Sequence, residues 1–140
     1  MNQTVSIVMP TKGRVELVRQ AVESVLAQTY GEFELVVLDD SLKEEAREII
    51  DLANSDSRIE FVDRKGVGVS EARSQGVHRA RGLFLTFLDS DDYWANRRLE
   101  RHIDVWKNNK VGLSWDVCTE MRGPPTLAKQ PFPGGLIEAP

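Results

Sequence analysis

The sequence lacks the residues and runs that several chemistries require. Cys118 is the single cysteine, so an intrachain disulfide is impossible and a Cys-based zinc site is disfavoured. His78 and His102 are the only histidines, and no His, Cys or carboxylate stands at zinc-ligand spacing from either, so both read as ordinary helix residues. No stretch approaches the roughly 18 apolar residues of a membrane span. The run from Val5 to Met9 is too short for a signal-peptide core. The expected location is therefore the cytoplasm, free or peripheral at the inner face of a membrane. There is no G-x-G-x-x-G in the first strand turn, no G-x-x-x-x-G-K-[ST] and no G-x-S-x-G, which disfavours a dinucleotide fold, a P-loop and a serine hydrolase elbow. The net charge of -4 leaves no global basic field, so nucleic acid is not an expected partner.

What is present suits one soluble domain. The 140 residues are 41% apolar and 29% charged, enough for an ordinary core. Strand-like runs alternate with helical periods. Thr4 to Met9 reads as a strand ended by Pro10, and residues 14–28 as a helix with Val15, Val18, Val22, Val25 and Leu26 on one face. Residues 33–38, 58–62 and 83–88 read as further strands, and 111–117 as a fifth candidate. Residues 43–53 and 95–107 read as helices, and Ser70 as the N-cap of another reaching to about Arg81. From Gly123 prolines and glycines remove any regular period. The expected division is a ligand-binding domain over 1–120 and an irregular segment over 121–140. Alternating strands and helices imply an α/β fold with a mostly parallel sheet covered on both faces.

In such sheets ligands bind beyond the carboxyl ends of the strands. Pro10-Thr11, Asp39-Asp40 and Asp89-Ser90-Asp91 then share one edge. The apolar run 83–88 stops at Asp89, Asp91 and Asp92. Carboxylates that close repel one another unless a cation or hydrogen-bond donors compensate. Hard oxygen ligands of this kind suit Mg²⁺ or Mn²⁺, which can hold phosphates. The plain alternative is a capping turn into the next helix. Asp39 and Asp40 can accept from a ribose hydroxyl or a base N–H, or form an Asx turn. Arg73, near Gly66 and Gly68, can reach a base or phosphate, or pair with Glu71 or Asp63 at the surface. Lys12 and Arg14 read more readily as solvated charges than as phosphate ligands.

Taken together, Ser6 to Arg14, Ala21 to Tyr30, Phe33 to Ser41, Gly68 to Arg73 and Phe87 to Asp92 resemble, in order and spacing, the family 2 glycosyltransferases. The resemblance covers about residues 4–117. It implies the Rossmann-like GT-A fold, an α/β/α sandwich. It also implies metal-dependent transfer of a sugar from a nucleotide sugar, often UDP-linked, with inversion at the anomeric carbon. Mn²⁺ or Mg²⁺ is the implied cofactor. Pro10 and Thr11 correspond to the nucleotide-binding end of strand 1, and Asp40 to the acid that recognises the base, with Asp39 beside it. Arg73 corresponds to the arginine near the base and phosphates. Asp89, Ser90 and Asp91 correspond to the D-x-D motif, with Asp91 as metal ligand and Asp89 toward the ribose or the metal.

Lys12-Gly13 stand where the family usually has an aromatic and then Asn, and Ser41-Leu42 where it usually has Gly-Ser. Ser74 stands where it usually has Asn. The family's acceptor half, with its catalytic base, normally lies beyond residue 140. None of Asp116, Glu120 and Glu138 sits in the acid pair that leads into a helix there, so the catalytic base is left unassigned. The expected chain is thus the donor-binding half of a transferase. The alternatives are a non-catalytic nucleotide-sugar-binding module, or a truncated piece completed by a homo-oligomer or partner subunit near Trp115 and Val117. The acceptor, a saccharide or lipid, is unspecified. A phosphotransferase with an aspartyl nucleophile ranks last, because its D-x-D normally ends the first strand.

Overall fold

The structure, a computed structural model, describes residues 5–41, 43–64, 66–108, 111–116 and 134–138. Val117, Cys118 and Glu120 lie outside the described residues, as does the side chain of Glu138. The elements run β1 (Val5–Thr11), α1 (Val15–Leu26), β2 (Phe33–Asp39), α2 (Lys43–Ala53), β3 (Ile59–Asp63), α3 (Gly68–Arg79), β4 (Phe84–Phe87), α4 (Arg98–Asn108), β5 (Val111–Asp116) and β6 (Gly134–Glu138). The first four strands form a parallel sheet in the order β3-β2-β1-β4. This is the expected α/β architecture: α1 and α2 each connect adjacent parallel strands, and α3 carries the chain from β3 across the sheet to β4 beside β1.

β1 and β2 are buried along their whole length, as central parallel strands covered on both faces must be. On one face Ile7, Met9, Leu35 and Val37 pack with Val18, Val22 and Val25 of α1, Ile49 of α2 and Leu99 and Ile103 of α4. On the other, Val8, Val36, Leu38 and Val62 meet Ala72 of α3. β4 is different. It has a partner on one side only among the described residues, and Leu85 and Phe87 on it are about 40% exposed.

Three expectations need correction. Pro10 does not end β1, which continues to Thr11 in register with Asp39. The carbonyl of Val8 bonds toward β4 and that of Thr11 toward β2, so the missing N–H of Pro10 faces the β4 side, where the ladder has already stopped at Val8 and Phe87. Ser70 is not the cap of α3. The helix begins at Gly68 after Val67, because Gly66 (φ 78°) and Gly68 (φ 75°) turn the chain without a capping side chain. β5 does not join the central sheet but pairs antiparallel with β6. Five residues of the stretch expected to be irregular thus form a strand, since pairing with β5 outweighs a weak local pattern. Among the described residues no helix is long and apolar enough to cross a membrane.

Candidate functional site

The carboxyl ends of β1, β2 and β3 lie level, because Thr11 pairs with Asp39 and Asp39 with Asp63. The backbone bond from Asp40 N–H to Thr11 O (2.9 Å) ties the first two tips together. Asp39 is buried, and burial raises its pKa although the hydroxyl and amide of Ser41 both donate to it. Asp40 is only partly covered. Gly66 N–H donates to its Oδ1, and Lys12 Nζ lies 3.2 Å from its Oδ2. These two donors hold its carboxyl below the usual carboxylate range. Thr11 Oγ1 is buried without a hydrogen-bond partner.

The acidic turn after β4 is held from two sides. Leu88 N–H bonds Val8 O (3.1 Å), and Asp92 N–H closes a turn onto Asp89 O (3.0 Å). Beyond it, Trp94 is buried in the core, and its N–H donates to Ser24 Oγ of α1 (3.0 Å). Gln28 at the end of α1 donates to Ala95 O (2.8 Å) and accepts from Leu99 N–H (3.0 Å). The turn is therefore clamped between β1 and α1, with Asp89 and Asp91 left half-exposed. Ser90 between them is buried. Burial, and then the charges of Asp91 and Asp89, raise the pKa of Asp92.

Each acid of the D-x-D pair carries a guanidinium. Arg73 Nη2 lies 2.5 Å from Asp89 Oδ1, and Arg14 Nη1 lies 3.0 Å from Asp91 Oδ2. Arg73 thus pairs with neither Glu71 nor Asp63, the surface partners weighed from sequence. The structure brings Pro10, Thr11, Asp39, Asp40, Arg73, Asp89, Ser90 and Asp91 to one end of the sheet. It adds Lys12 and Arg14, which the sequence analysis reads as solvated charges, each paired with an acid of this end of the sheet.

His102 is more than an ordinary helix residue. It is buried in α4, with Nδ1 2.6 Å from Ser114 Oγ and Nε2 3.2 Å from Asp116 Oδ2. Arg98 Nε donates to the same Asp116 oxygen (2.7 Å) and its guanidinium lies 4.1 Å above the Trp94 ring. This cluster ties β5 to α4.

The sequence model of glycosyl transferase family 2 matches residues 6–138. The chain belongs to that family. It is 36% identical over 112 residues to the Escherichia coli UDP-Glc:alpha-D-GlcNAc-diphosphoundecaprenol beta-1,3-glucosyltransferase WfgD, covering 79% of this chain and 44% of that one. It is 34% identical over 110 residues to an uncharacterized glycosyltransferase of Rickettsia bellii, covering 79% of this chain and 16% of that one. The family 2 chain thus spans less than half the length of these relatives. Its fold matches S. aureus TarS 1-349, solved in complex with UDP-GlcNAc, with a TM-score of 0.74 at 22% identity, over 88% of this chain and 37% of that one.

Proposed function

We propose that this family 2 chain is the donor-binding half of an inverting, metal-dependent glycosyltransferase that takes a UDP-sugar. The observation that carries this reading is the meeting of three strand tips, where Asp40, Asp89 and Asp91 each sit beside a cation of the same site. The WfgD relative is named for a UDP-glucose donor and the TarS structure holds UDP-GlcNAc, which favours uridine over other bases. In this reading Asp40 accepts from the base or ribose, and Thr11 Oγ1, a buried polar atom without a hydrogen-bond partner, has bonding capacity to spare.

The residues present fit a divalent cation of the Mg²⁺ or Mn²⁺ kind. Among the described residues no three His, Cys, Asp or Glu side chains form a self-sufficient cage. Mg²⁺ sites on phosphates need only one or two protein carboxylates, and Asp89 and Asp91 supply two on one turn. Bound there, the cation would stabilise the leaving diphosphate as a Lewis acid. Inversion also needs a base within reach of the acceptor hydroxyl. Asp116 is unsuited. Its burial alone would raise its pKa, but the His102 bond and Arg98 draw it down to about 2. We therefore assign the base to no described residue.

Thermal unfolding with UDP, GDP and dTDP, each with and without Mn²⁺, tests the reading on wild type and Asp91→Ala. Ligand at about 100 Kd adds roughly 2.7 kcal/mol to the native state, which for a chain of this size raises Tm by about 5–10 °C. A Mn²⁺-dependent shift with UDP, absent from Asp91→Ala, is the expected result. No shift with any nucleotide would refute donor binding by this chain.

A further inference from the structure

Arg14 is the one described residue other than glycine with a positive φ (φ 54°, ψ 47°). A long side chain in the left-handed region costs roughly 1–2 kcal/mol, and such strain gathers at functional sites. Gly13 before it is also left-handed (φ 63°), and its N–H is fixed by Ser41 Oγ at 2.6 Å. Two left-handed residues thus bend the chain from β1 into α1. The outcome is an Arg14 guanidinium on Asp91, 77 residues away in sequence.

This ion pair is weak. Both side chains are about half exposed, and exposed pairs are worth roughly 0–1 kcal/mol. It does not repay the backbone strain by itself. The charges around it suggest what does. Arg14 and Arg73 neutralise Asp91 and Asp89, the same two carboxylates that fit a divalent cation. If those carboxylates take the cation, two guanidiniums lose their partners, and the diphosphate of a nucleotide sugar carries two negative charges.

Building on the donor-site reading, we propose that Arg14 is a diphosphate-binding residue that Asp91 holds in reserve. Asp91 exchanges the guanidinium for the divalent cation, and Arg14 turns to the phosphates. Arg14 therefore opposes cation binding in the absence of nucleotide and supports nucleotide binding in its presence. A residue that only shaped the turn would weaken both.

The test uses Arg14→Asn, since Asn tolerates the left-handed region, with Arg14→Lys as the charge-conserving variant. Unfolding curves check that both fold; Arg14→Asn is expected to match or exceed wild type in Tm. Electron paramagnetic resonance of free Mn²⁺ reads cation affinity, and calorimetry in saturating Mn²⁺ reads UDP and uridine affinity. The expected result for Arg14→Asn is Mn²⁺ alone bound about 2- to 5-fold more tightly, the upper half of the exposed-pair energy as a ratio. UDP should bind about 10-fold or more weakly, as for loss of a hydrogen bond to a charged group, with uridine unchanged. Arg14→Lys should lie between. In an Asp91→Asn background the gain in Mn²⁺ affinity should vanish. UDP affinity within 2-fold of wild type, a parallel loss of uridine, or unchanged or weaker Mn²⁺ binding would each overturn the proposal. Failure of the wild-type protein to bind UDP with Mn²⁺ would instead overturn the donor site itself.

Discussion

Replacing Gly76 by Ala tests how closely α3 is seated on the sheet. Gly76 is buried on the face of α3 that lies over β1 and β2. A Cβ at that position would overlap Val8 Cγ1 and lie 2.9 Å from Leu38 Cδ1 and 3.0 Å from Val8 Cγ2. Val8 and Leu38 are fully buried, so neither has room to swing aside. Both methyls of Val8 are in the way, and rotating that side chain exchanges one overlap for another. The helix must lift instead. Overpacking of this kind costs about 1–3 kcal/mol, whereas Ala gains about 1 kcal/mol over Gly in a helix interior. With both Val8 methyls and Leu38 in the way, the overpacking cost should fall at the upper end, about 2–3 kcal/mol, so the net effect should be a loss of roughly 1–2 kcal/mol, a fall in Tm of about 2–7 °C. Thermal and urea unfolding would measure it beside Ser74→Ala, an exposed position on the same helix where only the propensity gain operates. Lifting α3 also moves Arg73, so UDP binding should weaken in Gly76→Ala and not in Ser74→Ala. A Gly76→Ala protein as stable as wild type would show that α3 is loosely seated and refute the reasoning.

Two further outcomes concern ion-paired carboxylates. Asp116 has a folded-state pKa of about 2 against an ordinary 3.8. A depressed acid stabilises fully above its unfolded pKa and loses that contribution as pH falls, so about 2 kcal/mol should disappear between pH 3.8 and about 2. Comparing urea unfolding of wild type and Asp116→Asn at neutral and acid pH should show the gap close as acid is added; a gap independent of pH would sink the assignment. Glu34, buried in β2, accepts from Ser6 Oγ and Arg81 N–H, both at 2.6 Å, and its Oε2 lies 2.6 Å from Arg81 Nη2. Burial opposes its charge, but these contacts outweigh it and lower its pKa. Glu34→Ala leaves two donors without acceptors and should cost about 2–3 kcal/mol by denaturant unfolding; a loss below about 0.5 kcal/mol, the usual range for surface positions, would show that the contacts are idle.

The parallel sheet was legible because β1 and β2 are apolar on both faces and the helices between them carry clear stripes. Asp89 and Asp91 were legible because an apolar strand ends on them without a break. The cation partners were not. Whether Lys12 and Arg14 are solvated or engaged depends on two left-handed residues, and sequence records only the permission that Gly13 gives. β6 escaped for a related reason: Gly134 and Gly135 weaken its local strand signal, and its pairing with β5 is long-range. His102 looked ordinary because its partners, Ser114 and Asp116, lie on the next strand rather than at metal-ligand spacing.

Asp89 and Asp91 of the proposed donor site follow the shortest strand of the sheet, at its edge. β4 is four residues long and, among the described residues, anchored along a single ladder, while β1 beside it is gripped on both sides. Its outward-facing amides should exchange with solvent far faster than those of β1. A strand added along that edge, whether by more of the same polypeptide or by another molecule, would stiffen the seat of Asp89 and Asp91 before any ligand arrived. Part of the ordering that a nucleotide must otherwise impose would already be done, so the neighbour and the ligand would each bind better in the presence of the other.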